Sequence, residues 1–155
     1  MSNAVLILGE SGAGKTTSLR NLDPAKCLLL QPVPKNLPFK NNGWHPLHRD
    51  ASGNIAGSIF VTDKPAEIVD SIKNAPALGK EIVIIDDFQY IMANEFMHKA
   101  SVKGFEKFTE IGKHAWDIVM AANQADPRLR IYILSHIQAD EMGRQRIKTI
   151  GKLLD

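Results

Sequence analysis

A glycine-rich segment near the amino terminus carries the residues best suited to chemistry. It reads Gly9-Glu10-Ser11-Gly12-Ala13-Gly14-Lys15-Thr16 and is followed by Thr17. Glycines let successive backbone N–H groups turn inward around phosphate oxygens, and the first turn of a helix adds a dipole that favours anions. In this spacing Lys15 is expected to reach the β and γ phosphates, and the Thr16 hydroxyl a magnesium ion. The segment predicts a site for a nucleoside triphosphate and Mg²⁺, with a chance glycine-rich turn as the alternative.

Two acidic residues, Asp86 and Asp87, follow the apolar run at residues 82–85. A buried strand that ends in an acid can present a carboxylate to a metal ion at the carboxyl edge of a parallel sheet. Asp86 is therefore the predicted magnesium-side acid, and the run is interpreted as a Walker B element. An ordinary strand end is the alternative. The segment Asp86-Asp87-Phe88-Gln89 lacks the glycine that GTPases use after this acid, which favours ATP over GTP.

Polar and basic residues follow a later apolar run, at residues 129–134. Ser135 and His136 come first, and either side chain can donate a hydrogen bond to phosphate or water. The alternative is a pair that ends a strand without any nucleotide contact. Arg144, Arg146 and Lys148 then form the densest basic stretch, which we call the basic cluster. An ordinary solvated face is one interpretation of it.

The elements that must position these residues alternate along the chain. Apolar runs at residues 4–8, 28–31, 59–61, 81–86 and 129–134 predict strands, and helical patterns lie at residues 15–22, 64–75, 89–100 and 105–122. Strands that alternate with helices form parallel βαβ units, so the expected fold is α/β, a three-layer sandwich around a mostly parallel sheet. Residues 32–57 lack a sustained period and are predicted to be an irregular excursion. Lys35 and Trp44 there belong to a mixture of cations and aromatics that suits either single-stranded nucleic acid or a self-packed loop.

The bulk composition fits one domain over residues 1–155. The chain has 19 basic and 17 acidic side chains, a formal net charge of +2 that is too small to indicate nucleic-acid binding by itself. Cys27 is the only cysteine, which excludes an internal disulfide and favours a reducing compartment. No apolar stretch approaches the roughly 18 residues that a membrane span needs, and no signal-peptide pattern opens the chain. The expected protein is cytoplasmic, without a membrane partner.

Several segments together resemble the phage-encoded AAA/RecA-like P-loop ATPases, and the resemblance covers most of the chain. The segments are the glycine-rich loop, residues 82–87, Phe88-Gln89-Tyr90, Asn94-Glu95-Phe96, Phe108-Thr109-Glu110-Ile111-Gly112, His114-Ala115-Trp116-Asp117 and Ile147-Lys148-Thr149-Ile150-Gly151-Lys152-Leu153-Leu154. Relatives are linked to single-strand annealing and homologous recombination. The resemblance therefore implies Mg²⁺-dependent ATP hydrolysis, single-stranded DNA as a partner, a homo-oligomer and, for a phage protein, the cytoplasm of a bacterial host.

The resemblance also implies roles for individual residues. Ser135 or His136 stands where such ATPases have a polar sensor of the γ phosphate. Asp87 stands where many have a glutamate that polarises the attacking water, and its side chain is shorter. The basic cluster follows the sensor strand, where relatives contact DNA or complete a neighbouring subunit's ATP site. Relatives continue into further sheet strands beyond the equivalent of Asp155, so a shortened or partial core is expected.

Two other function classes fit the phosphate loop. A small-molecule or nucleotide phosphotransferase would need an arginine-rich lid and an acid or arginine pair for the acceptor, and neither is recognisable in the sequence. A nucleotide-dependent scaffold with little turnover is favoured by the aspartate at position 87 and by the early end of the chain. ATP turnover with and without single-stranded DNA would separate both classes from a recombination ATPase.

Overall fold

The apolar runs of the sequence form the strands of a central sheet. The computed structural model describes residues 3–9, 14, 17–37, 43–139 and 145–147. In chain order the strands are β1 (Asn3–Gly9), β2 (Cys27–Gln31), β3 (His48–Arg49), β4 (Ile55–Ala56), β5 (Ile59–Val61), β6 (Ile82–Ile85), β7 (Arg130–Ala139) and β8 (Gln145–Ile147). The main sheet has the order β1-β7-β6-β2-β5, and each pair of neighbours in it is parallel. The predicted α/β class and mostly parallel sheet are therefore confirmed.

Three α-helices lie among the strands in the part of the chain that the structure describes: α1 (Pro65–Asn74), α2 (Gln89–His98) and α3 (Glu106–Asn123). α1 begins at Pro65 because the first turn of a helix needs no N–H donor from proline. The Thr62 hydroxyl accepts the N–H of Lys64 at 3.2 Å, which orders the chain directly before this helix. Within the described residues, no helix combines the length and the apolar content that a membrane crossing requires.

Apolar side chains cover both faces of the sheet. One face packs against residues of all three helices, among them Ile68 of α1, Ile91 of α2 and Ile118 of α3. The other face packs against Leu19 and Trp44, which lie outside the α-helices. This arrangement is compatible with three layers. Because Trp44 is only 3% exposed, its ring serves core packing and is not available to stack on nucleic-acid bases.

β1 lies at one border of the described sheet. It pairs with β7 along its whole length, and Val5, Leu6 and Leu8 on it are each 43–46% exposed. A continuous apolar run is typical of a strand that is covered on both faces and paired on both edges. Among the described residues, β1 is paired along one edge and its side chains are only partly covered. The glycine-rich segment at the end of β1 therefore begins at the border of the sheet.

Four features differ from the sequence-based expectations. Residues 17–21 form a 3-10 helix where an α-helix over residues 15–22 is predicted. α3 begins at Glu106, so Phe105, at the start of the predicted apolar pattern, is 86% exposed. β7 continues through Ser135 and His136, because it pairs with β1 as far as His136 and then with the antiparallel strand β8. The predicted irregular excursion contains one short hairpin, formed by β3 and β4.

Candidate functional site

The carboxyl ends of β1 and β6, and the part of β7 that lies beside them, bring the predicted chemical residues to one edge of the sheet. β7 lies between β1 and β6, and Gly9 at the end of β1 pairs with His136. The Phe88 N–H donates to the Leu134 carbonyl at 2.9 Å, which holds the turn after β6 against β7. Ligands of open α/β sheets bind outside the carboxyl ends of the strands. This edge, which we call the carboxyl edge, is therefore the candidate site.

Part of the predicted phosphate loop belongs to the described structure. Gly14 has a φ of 90°, a left-handed conformation that L side chains rarely adopt, so the position requires glycine. Its carbonyl accepts the N–H of Ser18 at 3.0 Å, and Thr17 begins the 3-10 helix Thr17–Asn21. A strand that ends in Gly9, a glycine with positive φ at position 14 and a 3-10 helix from Thr17 thus follow one another in the order that a phosphate loop needs. Outside the described residues lie Glu10, Ser11, Gly12, Ala13, Lys15 and Thr16.

Asp86 and Asp87, which we call the acid pair, lie at the carboxyl edge with a lysine between them. Asp86 is buried, and its backbone N–H donates to the Leu30 carbonyl of β2 at 3.0 Å. The Nζ atom of Lys35 lies 2.9 Å from Asp86 Oδ2 and 2.8 Å from Asp87 Oδ2. Burial alone would lower the pKa of Lys35, but hydrogen bonds to Asp87 and Asp86 outweigh it and raise that pKa above its usual value. Lys35 is therefore a charged ammonium ion in this site.

Asp87 has an unusual backbone conformation and contacts β7. Its φ is 57°, and among the described residues it is the one non-glycine residue with a positive φ. This left-handed conformation costs most L residues about 1–2 kcal/mol, although aspartate tolerates it better than most. Asp87 Oδ1 lies 3.3 Å from His136 Nε2, and the His136 ring meets the Tyr90 ring edge-on with 6.3 Å between centroids. The fold thus brings the predicted water-side acid and one predicted sensor together.

Gln89, the first residue of α2, is a site residue that sequence reasoning misses. Its Oε1 atom accepts hydrogen bonds from Ser135 Oγ and from the His136 N–H, both at 3.2 Å. Gln89 is 6% exposed, and its Nε2 atom has no hydrogen-bond partner among the described residues. An unpaired buried donor costs about 1–3 kcal/mol, so this nitrogen would gain from an acceptor on a ligand. The sequence signal that could have found it is its position, directly after the acid-bearing turn.

The basic cluster falls mostly outside the described residues. Arg144 and Lys148 lie outside them, and only the backbone of Arg146 is described. Arg146 belongs to β8, where it pairs with Gln138 of the antiparallel strand β7. Since His136 lies on the same strand as Gln138, the backbone of Arg146 lies beside the strand of the predicted sensors.

Other charged residues form a separate network between α2 and α3. Glu95 contacts His114 Nδ1 and Lys99 Nζ, each at 2.8 Å from its Oε2 atom, and Lys99 Nζ lies 2.9 Å from Glu110 Oε2. A cavity of about 630 Å³ lies between α1 and α3, and none of the predicted site residues lines it. The network and the cavity are therefore distinct from the set of residues at the carboxyl edge.

Comparisons with known proteins do not bear on the role of the carboxyl edge. A scan against models of known protein families gave no match, and a search of curated proteins gave none either. The chemistry of the site itself must therefore indicate the function.

Proposed function

We propose that this protein binds ATP with Mg²⁺ and hydrolyses it, as a P-loop NTPase with a three-layer, RecA/AAA-like core. One observation carries the proposal. The neighbouring parallel strands β1, β7 and β6 bring Gly9, the pair Ser135 and His136, and the acid pair to one edge of the sheet, and Gly14 follows β1 with a positive φ. Phosphoryl transfer from ATP needs a phosphate loop, a polar sensor and a metal-side acid at one edge of the sheet.

The residues at the carboxyl edge fit the groups that ATP and Mg²⁺ would present. The positive φ of Gly14 suits a backbone cradle for phosphate oxygens, and the unpaired Gln89 Nε2 is a donor for phosphate or water. In the proposal Lys15 supplies a point charge to the β and γ phosphates. Thr16 and Asp86 would hold Mg²⁺, which neutralises charge on the phosphate oxygens when it is bound. Among the described residues no group of three or more His, Cys, Asp and Glu could hold a metal, and sites with few carboxylates suit Mg²⁺ completed by phosphate and water.

The remaining roles in the proposed hydrolysis belong to side chains of the protein. Asp87 accepts the proton of the attacking water, and His136, 3.3 Å from its Oδ1 atom, keeps that carboxylate oriented toward β7. Gln89 ties the start of α2 to Ser135 and to the His136 backbone, so a change at one of these elements is transmitted to the other. The positioning of the acid and the sensor thus depends on the same short turn.

We extend the proposal to DNA because of the resemblance to recombination and single-strand annealing ATPases. Arg146 of the basic cluster belongs to β8, which pairs with β7, so nucleotide contact at Ser135 or His136 can alter how the cluster meets single-stranded DNA. Nucleotide occupancy would bias assembly of a homo-oligomer or its hold on DNA, and hydrolysis would reset it. The proposed setting is the cytoplasm of a bacterial host.

Lys15→Ala tests the ATP site. We expect it to abolish ATP binding or turnover and to leave the fold intact, because Lys15 supplies charge and not core packing. Lys26→Ala is the matched control, since Lys26 is an exposed lysine whose acidic partner is Glu81, 3.8 Å away. The control should behave like wild type. Unchanged ATP affinity and turnover in folded Lys15→Ala would contradict the proposal.

The same ATPase assay with and without single-stranded DNA tests the biological role. DNA-stimulated turnover supports a recombination ATPase. Phosphate transfer to a small acceptor would replace it with a phosphotransferase, and tight ATP binding without turnover would replace it with a scaffold.

A further inference from the structure

The acid pair already has a cation of its own. Lys35 Nζ lies 2.9 Å from Asp86 Oδ2 and 2.8 Å from Asp87 Oδ2, so one ammonium ion bridges both carboxylates. The Asp86 side chain is 1% exposed and the Asp87 side chain 11% exposed. Two carboxylates this buried and this close repel each other unless a positive charge lies between them. Lys35 supplies that charge.

The bridging point is the one that a divalent cation would occupy. One oxygen from each carboxylate converges on it, and hard divalent cations prefer oxygen ligands. An ammonium ion and a metal ion cannot share the point, because both are positive and both need Asp86 Oδ2. The N···O distances of 2.8–2.9 Å exceed the roughly 2.0–2.1 Å of a magnesium–oxygen bond. These distances are those of an ammonium ion held by charged hydrogen bonds.

Lys35 is attached in a way that allows it to leave. It lies between β2 and β3 on residues 32–37, which form neither helix nor strand. Its carbonyl accepts a long hydrogen bond of 3.4 Å from Gln31 Nε2, and its side chain is 33% exposed. A lysine ammonium is a compact charge on a flexible four-carbon stem, so it can follow a nearby anion. Asp86 has no such freedom, because β2 holds its backbone N–H.

We propose that Lys35 is the resident cation of the acid pair and that a divalent cation binds there only by displacing it. The inference rests on the proposed function, in which Asp86 holds Mg²⁺. Free Mg²⁺ competes with a tethered charge that is always present. Mg²⁺ that arrives with ATP brings phosphate oxygens, which can receive the displaced ammonium. Lys35 thus makes metal binding depend on the nucleotide.

Mn²⁺ binding in the absence of nucleotide tests the inference. Mn²⁺ takes oxygen ligands as Mg²⁺ does, and electron paramagnetic resonance counts the free ion. The full chain is titrated as wild type, Lys35→Met, Lys35→Arg and Lys64→Met. Lys64 is the matched control, because its side chain is 74% exposed and its acidic partner, Glu67 Oε1, lies 3.6 Å away. We expect Lys35→Met to bind Mn²⁺ at least about tenfold more tightly than wild type, because the competing charge is gone. Lys35→Arg and Lys64→Met should bind like wild type.

The same titration contains the results that would overturn the inference. Equal Mn²⁺ affinity in Lys35→Met and wild type would leave Lys35 as a structural ion pair. Equal tightening in Lys64→Met would show a general effect of net charge instead of displacement. If Lys35→Met unfolds in EDTA, circular dichroism during the Mn²⁺ titration decides: refolding supports displacement, and failure to refold rejects it.

A parallel measurement of ATP binding by wild type distinguishes a failure of the proposed function from a failure of the inference about Lys35. Wild type that binds no ATP would reject the proposed function, while the Mn²⁺ comparison would still decide the role of Lys35. Wild type that binds ATP, beside a Lys35→Met variant with unchanged Mn²⁺ affinity, would reject only the inference about Lys35.

Discussion

Three substitutions at Asp87 separate the chemistry of its carboxylate from the strain of its backbone. Asn keeps the size of the side chain and tolerates the φ of 57°. Gly removes the side chain and accepts the same φ without strain, whereas Ala removes the side chain and retains the strain. The series therefore measures the two contributions one at a time.

The contacts of Asp87 determine the expected magnitudes. Its Oδ2 atom accepts a hydrogen bond from Lys35 at 2.8 Å, and its Oδ1 atom lies 3.3 Å from His136 Nε2. A hydrogen bond to a charged group contributes about 1.5–3 kcal/mol, but Lys35 keeps Asp86 and the Asn oxygen as acceptors, so Asp87→Asn should cost about 1 kcal/mol. Asp87→Gly loses the acceptor and should cost about 2 kcal/mol. Asp87→Ala loses the same acceptor and adds about 1–2 kcal/mol of backbone strain. Glycine loses more conformational freedom on folding than alanine does, and this offsets about half of the strain when the Ala and Gly variants are compared.

Urea denaturation measures the stability order, and steady-state ATP turnover measures the chemistry. We expect stability to fall in the order Asp, Asn, Gly, Ala, with an unchanged dependence on urea concentration. Asp87→Asn should bind ATP like wild type and turn over at least about 100-fold more slowly, the usual contribution of a general base. An Ala variant as stable as the Gly variant would refute the strain argument. An Asn variant with the wild-type rate would show that another group positions the water, with Glu10 and Gln89 as the next candidates.

Three further predictions concern other residues. Gln89→Leu removes the acceptor of two 3.2 Å hydrogen bonds together with the unpaired Nε2, so urea denaturation should show a loss of about 1–2 kcal/mol and ATP turnover should slow. Unchanged turnover would contradict its place in the site. Neutralising Arg144, Arg146 and Lys148 together should weaken single-stranded DNA binding and flatten its salt dependence, with ATP affinity little changed. Loss of cooperative turnover with normal DNA affinity would instead assign the basic cluster to a neighbouring subunit's ATP site. Wild-type behaviour in both assays would mean that the cluster is an ordinary solvated face. Burial raises the pKa of Cys27 to about 11, so the thiol stays protonated near pH 8 and a thiol reagent should label only the unfolded chain. Rapid labelling of the native protein would show that the thiol is accessible.

The fold is predictable from sequence wherever burial repeats with a simple period. Continuous apolar runs mark the central strands, and helical spacing places Ile111, Ala115 and Ile118 on the buried face of α3. Prediction fails at the ends of elements, where backbone hydrogen bonds and not apolar content decide. β7 continues through two polar residues because its backbone pairs with β1 as far as Gly9. No pattern of side chains reveals that pairing.

The site is predictable only where its residues come at the end of an apolar run. Asp86 and His136 can be found because the apolar runs before them predict strands and the parallel sheet collects their carboxyl ends. Lys35 lies 52 positions before Asp87, on a segment without a period, so the sequence does not say which way it faces. Gln89 is also hidden, because its contacts depend on how α2 is rotated against β7.

Two costly features lie within three residues of each other, in the turn after β6 and at the first residue of α2. The positive φ of Asp87 costs about 1–2 kcal/mol, and the unpaired Nε2 of Gln89 costs about 1–3 kcal/mol, within a net stability that is typically about 5–15 kcal/mol. Glycine at position 87 would relieve the first cost, and an apolar residue at position 89 the second, although each also removes hydrogen bonds that the native side chain makes. A turn that only connects β6 to α2 would need neither feature, since strain of this kind persists where the surrounding structure uses it. Phosphate oxygens and an attacking water are both acceptors for a buried amide donor. The turn after β6 is therefore the part of this fold whose cost a bound nucleotide would offset.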